Sequence, residues 1–146
     1  LLALGRQNKL PGSSDQIRYT LKDETLHIQF GTYLINTIKE QYPSVWTKKF
    51  EAETVDHVKK AVELEVQYAH DVLPRGILGL NADMFVDYMQ YIGNRRLEGI
   101  DIDFRFDSDQ NPFPWLSEVV DTGAMTNFFE RKVKDYQNSG VLEDDF

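Results

Sequence analysis

The stretch "KDETLHIQFG", Lys22 to Gly31, decides how this chain is read. Around it, Ile17, Leu21, Glu24, Ile28, Gly31 and Ile35 recur at spacings of three and four. That spacing places them on one stripe of an α-helix. Glu24 sits at the centre of the stripe, where a leucine fits the pattern, and His27 lies one turn further along beside it. The other side of the helix carries Leu26, Phe30, Tyr33 and Leu34. A helix apolar on more than one face packs among other helices, so this one is expected to be buried. An unpaired carboxylate in such a place is costly, and something must compensate it.

Two compensations fit. One is a core hydrogen-bond network, or an ion pair with Lys22 or Arg18; Glu-x-x-His is short enough to arise often without a special role. The other is a metal ion. Glu-x-x-His projecting inward from a helix is the recurring half-site of di-iron and di-manganese carboxylate proteins. Carboxylate oxygen and imidazole nitrogen suit iron and manganese, and the chain has no cysteine to offer a softer ligand. Asp23, next to the pair, is positioned to accept a hydrogen bond from a metal-bound histidine. A complete centre takes one Glu from each of two helices and Glu-x-x-His from each of two others. No second Glu-x-x-His occurs here: Glu63 and Glu65 lack a histidine three residues on, and His57 and His70 read as isolated, solvated side chains. On the metal reading, the remaining ligands come from outside this sequence.

Composition narrows the class. The 146 residues suffice for about one domain with a core. They are 41% hydrophobic with no long uncharged run, which argues for a globular chain rather than a membrane span. The net charge of −8, with acid gathered in the closing "VLEDDF", disfavours binding to phosphate backbones. Absence of cysteine excludes disulfides and thiolate chemistry and suits a reducing cytoplasm. There is no glycine-rich phosphate loop, Ser–His–Asp signature or internal repeat.

The coarse organisation is all-α. "LLALGRQNKL" reads as the tail of a helix already under way, so the chain is expected to be a split or processed piece of something longer. Ser13 or Ser14 is expected to cap a helix reaching about Glu40. After the break at "QYPS" a helix is expected from about Trp46 to Val72, closed by "LPRG". Asn81 or Asp83 opens the next, which carries "MFVDYMQYIGNRRLEGI". "DIDFRFDSDQNPFPW" reads as a packed, aromatic loop. Short helices are expected at Pro114–Asp121 and Thr126–Tyr136.

In order, "GRQNKLPG", "KDETLHIQFGTYLIN", "YMQYIGNRRLEGI", "NPFPW" and "TNFFERKVKDYQNSGV" resemble the C-terminal half of the small, radical-generating subunit of class I ribonucleotide reductase. The resemblance covers essentially the whole chain, and it favours metal over a core network. It implies part of a ferritin-like helical bundle in residues 1–136, followed by an acidic tail, 137–146, that docks on the large subunit. It implies a di-metal centre, Fe/Fe or Mn/Fe, that activates oxygen. The oxidising equivalent then passes to the large subunit, where ribonucleotides are reduced. Carried across residue by residue, Glu24 and His27 match metal ligands and Asp23 matches a carboxylate on the transfer route. Tyr136 matches the tail tyrosine that relays the radical, and "VLEDDF", ending in Phe146, matches the docking peptide.

Some features depart from the family. Lys22 stands where the family has arginine, which removes a planar fork beside the site. The tail is short and resembles a chlamydial-type subgroup, some members of which use manganese–iron without a radical tyrosine. The family's first half would supply an Asp, a Glu-x-x-His, a further Glu and the usual radical tyrosine. A companion chain is therefore expected, with a dimer of the assembled small subunit and no nucleic-acid or membrane partner. The competing expectation is a non-catalytic module that binds the large subunit through its tail. Tyr88, Tyr91 and Trp115 are expected to pack rather than to carry electrons, and Arg95 and Arg96 to form ion pairs.

Overall fold

The computed structural model describes residues 1–116. The expected helix at Thr126–Tyr136, most of that at Pro114–Asp121, and the tail 137–146 lie outside the described residues. Among the described residues the helices in order are α1 (Leu2–Arg6), α2 (Pro11–Gln41), α3 (Lys48–Val72) and α4 (Ala82–Gly99). Among the described residues there is no strand, and Ile77 and Leu80 form an isolated antiparallel bridge. No helix among them is long and apolar enough to cross a membrane.

Local chemistry explains the starts of three of the helices. The Thr47 side chain accepts from the Phe50 N–H at 3.2 Å and caps α3. The Asn81 side chain accepts from the Met84 N–H at 2.8 Å and caps α4. Each satisfies one of the donors that a helix start leaves open. α2 begins differently from the expectation. Pro11 takes the first helical position, after Leu10 in the left-handed region, and no side chain caps it. Ser14 lies inside the first turn instead, buried against α1. There a Cβ on Gly5 would collide with the Ser14 side chain, so glycine allows the two helices to touch.

The core gathers where α3, α4 and the following loop meet. Leu97 is fully buried, with Ile100 and Ile102 beside it; Ile35, Trp46, Val55, Val58, Phe104 and Phe106 pack around them. Burying an aliphatic side chain of this size contributes about 1.5–3 kcal/mol. The loop 101–113 is packed as expected. Buried Asn94 on α4 holds it by accepting from the Phe106 N–H at 2.7 Å and donating to the Ser108 carbonyl at 3.0 Å. Gln90, one turn earlier, accepts from the Ser108 N–H at 3.0 Å. A Cβ on Gly93 would stand 2.7 Å from the Phe106 ring, so this glycine lets the loop lie directly on α4.

The long helix α2 spans about 46 Å and is held near its two ends. Its start meets α1 through Ser14. Near its end the Asn36 amide donates to the Gly99 carbonyl at 2.9 Å, and the Lys39 ammonium donates to the Ile100 carbonyl. Lys39 also stands 3.8 Å from the Asp101 carboxylate and 4.9 Å from the centre of the Trp46 ring. These contacts occupy carbonyls that the end of α4 leaves unpaired.

Candidate functional site

Between those anchors lies the stretch carrying Asp23, Glu24 and His27. It is not buried. The side chains of Glu24 and His27 are 57% and 72% exposed. Leu26, Phe30, Tyr33 and Leu34 are exposed too, against the expectation of burial on every face. The inward stripe holds in part, because Ile17, Leu21, Ile28 and Ile35 are half-buried. At about 100° per residue, His27 falls between Leu34 and Ile38, and Asp23 between Phe30 and Leu34. The polar groups are therefore set into an apolar face that no described residue covers. Periodicity shows which residues share a face; burial requires another element to close over it.

The geometry of the pair is defined. Glu24 Oε2 lies 3.3 Å from His27 Nδ1, so the two groups converge. Neither Lys22 nor Arg18 takes the role of partner to Glu24, and Arg18 instead pairs with Asp15 at 3.3 Å. Two adjacent donors on one small divalent cation stand about 3 Å apart when each bond is about 2.1 Å. The observed separation fits that requirement without rearrangement of the helix. The donor types fit iron and manganese. The number of donors does not complete a site: among the described residues no three His, Asp or Glu side chains are grouped to hold a metal. Glu24 and His27 can thus supply two ligands to a shared site and need others. Asp23 is exposed one turn before His27. Tyr136 and Phe146 lie outside the described residues.

Other residues weighed from sequence have structural roles. The Tyr88 ring packs on Phe113 at 5.3 Å and stacks beside Tyr91 at 6.4 Å. Trp115 lies 6.2 Å from Phe113, with the Arg6 guanidinium 4.9 Å over its ring. Arg95 donates to the Tyr91 hydroxyl at 3.0 Å. Burial pushes the Tyr88 phenol above its usual value, Arg96 opposes the shift and Tyr91 adds to it. Burial likewise lowers Arg96, with Arg95 adding to the effect. His57 and His70 are exposed, as expected. The anchoring residues Asn36, Lys39 and Asn94 were not singled out from sequence. A polar residue inside a helix looks the same in sequence whether it meets water or a carbonyl.

Among the described residues, a long helix presenting Glu-x-x-His in an arrangement without strands carries the half-site pattern of helical di-metal carboxylate bundles. Residues 1–112 match the profile of the ribonucleotide reductase small chain, and the chain belongs to that family. It is 51% identical over 142 residues to the ribonucleoside-diphosphate reductase subunit beta of Chlamydia pneumoniae, a match covering 97% of this chain and 41% of that protein. It is 31% identical over 146 residues to the subunit of the same name from Treponema pallidum, covering 97% of this chain and 42% of that one. The solved ribonucleotide reductase R2 subunit from Clostridium botulinum is similar with a TM-score of 0.76 and 27% identity, over 81% of this chain and 38% of that chain. The chain thus spans about two fifths of the length of the curated relatives it matches.

Proposed function

We propose that this chain supplies two ligands, Glu24 and His27, to a di-metal site in a cytoplasmic ribonucleotide reductase small subunit. The observation that carries this reading is the convergence of the two donors, 3.3 Å apart, on an uncovered apolar face of a helix belonging to this family. The remaining ligands come from outside these residues, from a companion polypeptide carrying the N-terminal half of the bundle or from a further segment of the same protein. When bound, the metal pair, Fe/Fe or Mn/Fe, activates oxygen and provides an oxidising equivalent for the reduction of ribonucleotides on the large subunit. Within this chain, Glu24 contributes charge, and His27 a neutral nitrogen donor. Asp23 accepts a hydrogen bond from a metal-bound histidine. Closure of the bundle would remove water from all three. The tail 137–146 docks on the large subunit through Phe146, and Tyr136 relays the oxidising equivalent between subunits.

The test uses the assembled small subunit. His27→Ala and Glu24→Gln should each lower its iron or manganese content while leaving the helicity of this chain intact. Unchanged metal loading with retained binding to the large subunit would overturn the reading in favour of a non-catalytic interaction module. For the relay, Tyr136→Phe should stop turnover at saturating large subunit with metal content and affinity unchanged; retained turnover would remove Tyr136 from the route.

A further inference from the structure

The loop that joins α3 to α4 forms an open groove away from Glu24 and His27 in sequence. Leu78 and Leu80 line two adjoining cavities of about 280 and 250 Å³. Arg75 lines the first; Arg6, Gln7 and Trp115 line the second. The loop is wound tightly to present the leucines. Leu78 holds a φ of 53°, in the left-handed region that leucine rarely adopts, between Gly76 at 69° and Gly79 at 81°. No acidic side chain lines either cavity, in a chain whose net charge is −8. Arg18 and Arg105 pair with Asp15 and Glu98. Among the described residues Arg6 and Arg75 meet no carboxylate. Arg6 stands over the Trp115 ring, 4.9 Å from its centre, a contact that uses the guanidinium face and none of its N–H donors.

We propose that this groove is the docking site for the chain's own acidic tail, "VLEDDF". Phe146 sits among Leu78, Leu80 and Trp115, and the carboxylates of Glu143, Asp144 and Asp145 turn toward Arg6 and Arg75. Size, charge and chain path select that occupant. A cavity of about 150 Å³ is enough to take a benzene-sized ring, so either hollow has room for the phenyl group. An acidic segment is repelled by most of an acidic chain and attracted to a groove whose only charged lining residues are arginines. Trp115, itself part of the groove, is followed after one residue by the segment 117–146, which reaches about 100 Å when extended. A tether of that length holds the tail near the groove at roughly millimolar effective concentration, so a contact of modest affinity is filled.

The contact involves neither Glu24 nor His27. Its consequence, a tail that must leave the groove before it reaches the large subunit, rests on the docking role proposed above. The test contains neither metal nor large subunit, so the two readings fail separately.

Nuclear magnetic resonance of the nitrogen-15-labelled chain reads the groove directly. Ending the chain at Gly140 should shift the Trp115 indole and the Leu78 and Leu80 amide signals and leave helicity unchanged. Synthetic "VLEDDF" added to the shortened chain should return them toward their positions in the intact chain. The peptide should bind the intact chain at least about tenfold more weakly, because the groove is already filled. The peptides "VLEDDA" and "VLQNNF", which leave the protein untouched, should each bind the shortened chain about fivefold more weakly than "VLEDDF". Arg6→Gln with Arg75→Gln should weaken "VLEDDF" to the same degree. Groove signals that do not move on shortening overturn the proposal. So does a peptide that binds intact and shortened chains equally, as a surface for a separate acidic protein does, or one that binds as tightly without its acidic residues.

Discussion

Two parts of α2 use the same kinds of residue to opposite effect. Near its end, Ile35, Asn36 and Lys39 face α4 and the loop beyond it. The apolar side chain enters the core, and both polar groups reach backbone carbonyls. In the middle, Leu26, Phe30 and Leu34 stand beside Asp23, Glu24 and His27, and all six are exposed. The contrast shows that hydrophobic spacing marks a surface as packable and cannot say what packs on it. One region is finished by this chain's own residues; the other is left open by every described residue.

That contrast yields graded expectations. Leu97→Ala cuts into the finished region, where the side chain is fully buried. It should destabilise the chain by about 3–4 kcal/mol, read from denaturant unfolding. A loss below about 1 kcal/mol would mean that the α3–α4 core is loosely packed. Lys39→Met keeps the aliphatic stem and removes the charged donor to the Ile100 carbonyl. It should cost about 1–2 kcal/mol. A neutral result would show that α2 is not fixed through this contact.

Tyr88 provides a pH-dependent comparison. Its phenol is held above the usual tyrosine value chiefly by burial. Well below pH 10 it is protonated in both folded and unfolded chains and stability is unaffected. As pH rises further, the unfolded chain loses the proton first, so stability falls until the folded-state phenol ionises as well. Tyr88→Phe should remove that part of the alkaline loss and change nothing near neutrality. An identical alkaline profile in wild type and variant would contradict the assigned burial. The smallest effect belongs to the open region: His27→Ala in this chain alone should change stability by less than about 0.5 kcal/mol, because the side chain is mostly exposed. A loss above about 2 kcal/mol would mark His27 as a structural histidine instead.

Much of the architecture was legible in the residues. The C-terminal end of α3 followed from "LPRG", its start lies two residues after the expected Trp46 because Thr47 caps it, Asn81 rather than Asp83 caps α4, and the aromatic loop after Gly99 was read as packed. The start of α2 was misplaced because Ser13 and Ser14 look like caps, while Pro11 is better suited to the first helical position. The pairing of Glu24 with His27 was legible from spacing, since residues three apart on a helix are neighbours. Their exposure was not, because the same stripe of residues serves a covered face and an uncovered one. Asn94 and Lys39 were not recognisable for a related reason: their partners are carbonyls of loop and helix-end residues, which sequence patterns do not record.

The central claim is that His27 of this chain is a metal ligand once the rest of the bundle is in place. The chain contains three histidines, His27, His57 and His70. Labelling them with nitrogen-15 and assembling the labelled chain with the unlabelled remainder of the small subunit allows the metal's electron spin to report on them alone. Pulsed magnetic resonance should show one directly bonded nitrogen-15. The signal should vanish in His27→Gln and persist in His57→Gln and His70→Gln. No directly bonded label in a metal-loaded assembly, or a signal that survives His27→Gln, would contradict the account.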